Sequence, residues 1–321
     1  MSVLPKVLFT LNVPREHLAP LDGIAELSLP NTYDWNALPH DELLSHLGEC
    51  KAFISQGEVA VNAEFLDAAP KLRMVANAAM GVDNLDLAEL TRRGIQATNT
   101  PDAFAESTAD LTLGLILSVT RRIAESDRFI RTGEWEKSGM QPRRWEGSLI
   151  GGKTLGIIGY GRIAKLVEKR AIAFGLDVIH TRQNPDNNPR CRTFENLLAE
   201  SDIVVALVPL TEKTRRLIDA EALAAMKPGA VFINVARGKV MDEAAVVTAL
   251  KSGQLAGAGF DVFEEEPAVH PALLEMDNVV LTPHIGGATD EERQRGRREA
   301  AEEVARFLRG DPVLYPVNDP A

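Results

Sequence analysis

The sequence predicts an α/β protein of two domains, and three observations carry that prediction. The chain of 321 residues, 45% of them hydrophobic, exceeds the size at which a single core usually splits. Strand-like and helix-like segments alternate through the N-terminal third, and a second alternating stretch starts at Thr154. That second stretch opens on a glycine turn between a strand pattern and an amphipathic helix pattern. Alternation of this kind belongs to parallel sheets covered by helices.

The elements follow in order. Residues 7–9 read as a strand, 41–47 as a helix and 53–54 as a strand. Asn62 caps a helix over 63–69, and 74–76 form another strand. One long helix is expected over 106–131, with Leu111, Leu115 and Val119 at four-residue spacing beside Ile116 and Ile123. Its apolar circumference predicts burial between domains or against a partner subunit. Further strands are expected at 155–158, 178–179, 203–207, 231–233, 259–260 and 279–281, whose tight apolar runs suit burial on both faces. A capping box, Thr289 to Glu292, opens the last helix, and the proline-rich tail from Asp311 should lie extended.

Composition excludes several classes. The formal net charge of −11 disfavours nucleic acid and anionic membranes as partners. Arg295, Arg297 and Arg298 stand among Glu residues and read as a solvated mixed-charge face. Two cysteines, outside any CxxC or Cys/His cluster, suggest neither a disulfide framework nor a metal site, and fit a reducing compartment. The N-terminus lacks a long apolar leader, and the strongest apolar run, 111–119, is too short to span a bilayer. A cytoplasmic protein is expected.

The glycine turn carries the cofactor argument. In Gly159-Tyr160-Gly161-Arg162-Ile163-Ala164, Gly159 permits the tight turn and Gly161 removes the β-carbon where a pyrophosphate approaches the backbone. Ala164 is small enough for close helix–strand packing, and the helix N-terminus offers its amides to phosphates. Ile163, Leu166, Val167 and Phe174 should face the sheet. Dinucleotide binding is therefore expected. At the end of the second strand, where NAD sites usually place an acid, the chain has His180-Thr181-Arg182-Gln183. A guanidinium suits a 2′-phosphate, so NADP is the expected cofactor, with NAD as the alternative.

Three segments at the ends of later strands offer chemistry. Arg237, in Asn234-Val235-Ala236-Arg237-Gly238, could hold a carboxylate through its fork, although an Arg at a strand end is commonly a surface ion pair. Glu264-Glu265-Glu266-Pro267 follows Asp261 and, read alone, is an acidic turn. His284 has the group of a general acid, although a lone His after a strand is commonly structural.

Together these segments resemble the D-isomer-specific 2-hydroxyacid dehydrogenases, over essentially the whole chain. The resemblance implies that Arg237 binds substrate, that Glu266 and His284 form the acid–base pair, and that Asp261 contacts the nicotinamide carboxamide. It assigns the substrate carboxylate to backbone amides in Asn77-Ala78-Ala79-Met80-Gly81-Val82-Asp83, with Met80 and Gly81 the best matches. Cofactor contacts are implied at Thr108, Gly159, Gly161, Arg162, Ile163, Thr181, Arg182, Pro209, Thr214, Val235, Ala236, Asp261 and His284. The implied fold is two doubly wound parallel-sheet domains. A Rossmann-type cofactor domain, 102–285, is inserted in a discontinuous flavodoxin-like substrate domain, 1–101 plus 286–321. A homodimer packed through the cofactor domain and its leading helix is implied.

The expected reaction is NAD(P)H-dependent reduction of a small 2-oxo acid such as glyoxylate or hydroxypyruvate to the D-2-hydroxy acid, with the proton from His284. Alternatives are a phosphoglycerate dehydrogenase-like enzyme and a dinucleotide-sensing corepressor or binding module. Glu266 argues against a formate dehydrogenase, which carries Gln there.

Overall fold

A computed structural model describes residues 3–30, 38–184 and 187–320. The chain divides into two compact units, Met1–Phe104 with Ala288–Ala321, and Ala105–Gly287.

The first unit holds strands β1 (Lys6–Phe9), β2 (Glu26–Ser28), β3 (Cys50–Ser55), β4 (Met74–Asn77) and β5 (Gln96–Thr98). They are all parallel, in the order β2-β1-β3-β4-β5, which is a flavodoxin-like arrangement. Period-two alternation sends Phe9, Ile54 and Ala76 to one face and Leu8, Phe53 and Val75 to the other. Helices Ala63–Asp67 and Leu87–Arg92 bury Phe65 and Leu90 on the second face. Asn62 caps the former through Phe65 N at 3.1 Å. The first face is covered by the helix Asp290–Arg309, through Ala300, Ala301 and Val304.

The sequence reading missed β2 and β5. Both have three residues, and Gln96-Ala97-Thr98 carries no apolar pattern of its own. The extended tail completes the β5 edge, with Val317 N donating to Ala97 O at 3.0 Å. Buried Glu303 anchors this tail by accepting from Leu314 N and Tyr315 N. The capping box forms by half: Thr289 Oγ1 accepts from Glu292 N at 3.3 Å, but the Glu292 carboxylate accepts from Phe104 N.

The second unit has six parallel strands: β6 (Thr154–Ile158), β7 (Asp177–Thr181), β8 (Ile203–Ala206), β9 (Ala230–Asn234), β10 (Leu255–Phe260) and β11 (Val279–Leu281). Their order is β11-β10-β9-β8-β6-β7. An isolated parallel bridge pairs Cys191 with His180 on the free edge of β7, where the third strand of a Rossmann sheet would be. Every residue of β8 and β9 is buried, as expected of strands covered on both sides.

The leading helix differs from expectation. It is two helices, Ala105–Thr120 and Ile123–Arg131, broken where Arg122 adopts φ +55°. The break follows from residues 147–148, which pass over the end of the first helix. Ser148 N takes the Thr120 carbonyl at 2.8 Å, leaving it no place in a continuing helical ladder. The first helix is buried against its own sheet, with Ala109, Leu113 and Ile116 packing on Leu155, Val205 and Ile233. Ile123 and Ile130 of the second helix are exposed. Phe174 is also exposed, beyond the end of Arg162–Ala173, whose inner face is Ala164, Val167 and Ala171.

Candidate active site

Strand order in the second unit reverses between β6 and β8, and ligands of open α/β sheets bind in the crevice at such a point. Gly159 stands there with φ +92°, and a β-carbon on it would lie 2.6 Å from the Leu207 carbonyl oxygen. Only glycine satisfies both constraints. Gly161 is extended and caps the helix Arg162–Ala173 without a side-chain hydrogen bond; a β-carbon on it would meet open space. That first turn carries no acid of its own to offset the positive helix end, where the first amides of the helix lie. These features fit a dinucleotide pyrophosphate.

Thr181 ends β7 opposite Ile158, its carbonyl accepts from Gly159 N at 2.9 Å, and exposed Arg182 follows. Two features escaped the sequence reading here. Tyr160, inside the turn, stacks on His180 with ring centroids 3.6 Å apart, and its hydroxyl bonds Glu168. Arg190 pairs with the same Glu168 at 2.5 Å. After β8, Thr214 Oγ1 donates to Pro209 O at 2.6 Å and closes the loop between them.

The chemical groups gather along the carboxyl ends of β9, β10 and β11. Asn234, the last residue of β9, is fully buried; its amide donates to Arg237 O at 3.0 Å and accepts from Ala236 N at 3.0 Å. This shapes the turn that carries Val235 and Ala236, both buried, and the partly exposed Arg237. A β-carbon on Gly238 would fall 1.8 Å from the Phe263 carbonyl carbon, so glycine lets the segment after β10 lie against this turn. Glu266 comes from that segment. One carboxylate oxygen accepts from Phe263 N at 3.0 Å, and the other contacts His284 Nδ1 at 2.8 Å. Burial by itself would push the Glu266 carboxyl up. The hydrogen bonds from His284 and Phe263 and the charges of His284 and Arg237 outweigh it and hold the carboxyl below its ordinary range.

His284 is itself unusual, with φ +53° on a non-glycine residue. Such a conformation costs about 1–3 kcal/mol and persists where surroundings enforce it. Asp261 does the enforcing. Its carbonyl accepts from His284 N at 2.9 Å, and its buried carboxylate accepts from Thr282 Oγ1 at 2.6 Å and from Ile285 N and Gly286 N, both at 2.8 Å. Thr108, on the first helix, closes the same corner: a β-carbon on Gly286 would stand 3.3 Å from its hydroxyl. With Nδ1 engaged by Glu266, Nε2 has no partner among the described residues.

In the first unit, Asn99 Nδ2 donates to Met80 O and Asn77 Nδ2 to Gly81 O, both at 2.8 Å. Those bonds turn the two carbonyls inward. The amides of Met80 and Gly81 donate to no described group, so the turn presents open N–H donors beside each other. Among the described residues no cluster of His, Cys, Asp and Glu could hold a metal, and no helix is long and apolar enough to cross a membrane.

An open parallel sheet with a glycine turn at its order reversal, and an imidazole–carboxylate pair on the same edge, defines a dinucleotide-binding oxidoreductase. Residues 113–286 match the family model described as the NAD binding domain of D-isomer specific 2-hydroxyacid dehydrogenases. A glyoxylate reductase of Pyrococcus horikoshii is 42% identical over 96% of this chain and 94% of its own length. One from Thermococcus litoralis is also 42% identical, over 96% and 95%. Among solved structures, a Thermus thermophilus protein superposes with a TM-score of 0.88 at 38% identity, covering 97% of this chain and 99% of that one. An NADPH-dependent glyoxylate/hydroxypyruvate reductase from Sinorhizobium meliloti, solved with NADP and malonate, gives 0.84 at 32% identity, covering 98% and 96%. The chain belongs to the D-isomer-specific 2-hydroxyacid dehydrogenase family.

Proposed function

We propose that this chain reduces a small 2-oxo acid, of the glyoxylate and hydroxypyruvate class, to the D-2-hydroxy acid. The observation that carries the reading is the His284–Glu266 pair at 2.8 Å, beside the Arg237 turn on the carboxyl edge of the sheet. The glyoxylate reductases at 42% identity support the substrate class.

The roles follow from the groups. The open amides of Met80 and Gly81 take the substrate carboxylate, and the Arg237 fork binds carboxylate and C2 oxygen. Glu266, held ionised, accepts a hydrogen bond from His284 Nδ1–H and fixes the ring. His284 Nε2 then carries the proton delivered to the C2 oxygen. Gly159, Gly161 and the amides of Arg162 and Ile163 hold the pyrophosphate of the cofactor; Thr108, Thr181, Arg182, Pro209, Thr214, Val235, Ala236 and Asp261 complete its surroundings. When bound, the reduced nicotinamide supplies the hydride. Residues 102–285 form the cofactor domain, and 1–101 with 286–321 the substrate domain.

His284→Gln should lower kcat for glyoxylate reduction by about 10²–10⁴-fold, the usual worth of a general acid. A variant with near wild-type kcat rejects the assignment. A wild-type protein that binds cofactor but turns over no 2-oxo acid would be a binding module instead.

Arg182, at the ribose end with no acid beside it in sequence, supports NADPH as the preferred reductant. A higher kcat/KM with NADH than with NADPH rejects that preference. A homodimer is supported by the apolar surface formed by Ile130, Trp135 and Met140, each at least 46% exposed. Light scattering that finds a monomer at assay concentrations rejects it.

A further inference from the structure

Of Arg295, Arg297 and Arg298, near the start of the last helix, two behave as their sequence suggests. Arg295 pairs with Glu299 at 2.8 Å and Arg298 with Glu302 at 3.3 Å, each one helical turn on. Arg297 does not join them. Its Nε donates to Gln56 Oε1 at 2.6 Å, and its Nη1 lies 3.3 Å from His17 Nδ1. All three residues are partly buried. Burial first, and the Arg297 charge second, lower the His17 pKa against a smaller opposing effect of Glu16, so the imidazole is neutral and accepts from the guanidinium.

The place where this happens matters. In the first unit the strand order reverses between β1 and β3, which makes their carboxyl ends the switch point of that sheet. Thr10 follows β1 and Gln56 follows β3. The loop after β3 is held firmly: Glu58 accepts from Thr10 Oγ1 and, at 2.6 Å, from Gln56 N. It also touches the turn that carries the open amides. Ala78 N donates to Ser55 O at 2.7 Å, and a β-carbon on Gly57 would stand 3.3 Å from Ala79 Cβ. Arg297 is thus one loop away from Met80 and Gly81, with its planar fork fixed from two sides rather than free to sweep through solvent.

We propose that Arg297, positioned by Gln56 and His17, is a specificity-determining residue that hydrogen-bonds an oxygen carried on C3, or beyond it, of the 2-oxo acid. The inference rests on the reading that the Met80 and Gly81 amides hold the substrate carboxylate. A guanidinium recognises both hydroxyl and carboxylate oxygens, and preorganisation by two side chains lowers the cost of using it. A substrate with a plain methyl group at C3 gains nothing from the contact.

The test compares matched substrates in wild type and in R297M. Hydroxypyruvate differs from pyruvate by one hydroxyl, and oxaloacetate differs from pyruvate by one carboxylate. In R297M the ratio of kcat/KM for hydroxypyruvate over pyruvate, or for oxaloacetate over pyruvate, should fall about tenfold, the usual worth of a hydrogen bond to a charged group. The loss should appear mainly in KM, since the contact is remote from the reacting carbon. A fall in the first ratio alone identifies a hydroxyl partner, and a larger fall in the second identifies an ionised one. Both ratios unchanged overturns the proposal and leaves Arg297 as a clamp on the β3 loop. Turnover of none of the three acids by wild type overturns the underlying reading and this inference together. If R297M does not fold, R297K keeps the charge but cannot bridge Gln56 and His17; it must lower one ratio by at least about threefold, or the proposal is wrong.

Discussion

Asp261 offers a sharp test of how this edge of the sheet is built. Family resemblance makes it a cofactor contact, whereas in the structure its buried carboxylate braces the His284 turn through Thr282, Ile285 and Gly286. The substitution Asp261→Asn keeps shape and size but replaces one oxygen with an NH2 group. The remaining oxygen can still accept from Thr282 and Ile285, at neutral strength. The NH2 must then face Gly286 N, which is buried and loses its acceptor. Weakening two charge-assisted bonds by about 0.5–1 kcal/mol each and stranding one buried donor at about 1–3 kcal/mol gives a loss of about 2–5 kcal/mol. For a domain of this size that is a fall in melting temperature of about 5–15 °C. The same change loosens His284, and a displacement of about 1 Å in a reacting group can cost about 10²-fold in rate. Differential scanning calorimetry and steady-state reduction of glyoxylate read the two effects. The brace requires both to move together. A D261N protein with wild-type melting and wild-type kcat, and only a raised KM for the cofactor, would falsify it and restore the direct contact.

Gly159→Ala places a β-carbon against Leu207 O in a backbone region that favours glycine, so fluorescence titration should find cofactor binding weakened by at least about tenfold, through a strain of about 1–3 kcal/mol. Unchanged binding would remove the turn from the cofactor site. For Glu266, a carboxyl lowered in the folded state adds stability that is present above its unfolded value and lost as pH falls through the folded one. The urea stability difference between wild type and E266Q should therefore stay level down to about pH 4.3, the ordinary glutamate value, and shrink below it. A difference that grows on acidification contradicts the sign.

Legibility in the sequence followed from whether a signal was local. All six strands of the second sheet could be read, because β8 is apolar at every position and β9 at every position but its last, Asn234, and both lie between helical patterns. The glycine turn could be read because its constraint is a backbone conformation met within a few residues. Other features gave no such signal. β5 exists because β4 and the tail supply its partners, not because residues 96–98 favour a strand. The helix expected over 106–131 breaks because Ser148, twenty-eight residues further along, takes the Thr120 carbonyl. Glu292 abandons its capping box because Phe104, almost two hundred residues earlier, presents an amide to it.

By itself, then, the order of residues determined which elements form and in what class of sheet, since hydrophobic period and turn chemistry act over short stretches of chain. It also supplied the inventory of reactive groups: a guanidinium, an imidazole and a carboxyl after three different strands. Only the tertiary structure decided which of these touch. Parallel pairing puts the ends of β9, β10 and β11 side by side, and Gly238 lets the Glu266 segment close onto the Arg237 turn. The same long-range packing removed Arg297 from the outer face of its helix, because a side chain's partner is set by what the fold brings within about 3 Å, not by its neighbours in sequence.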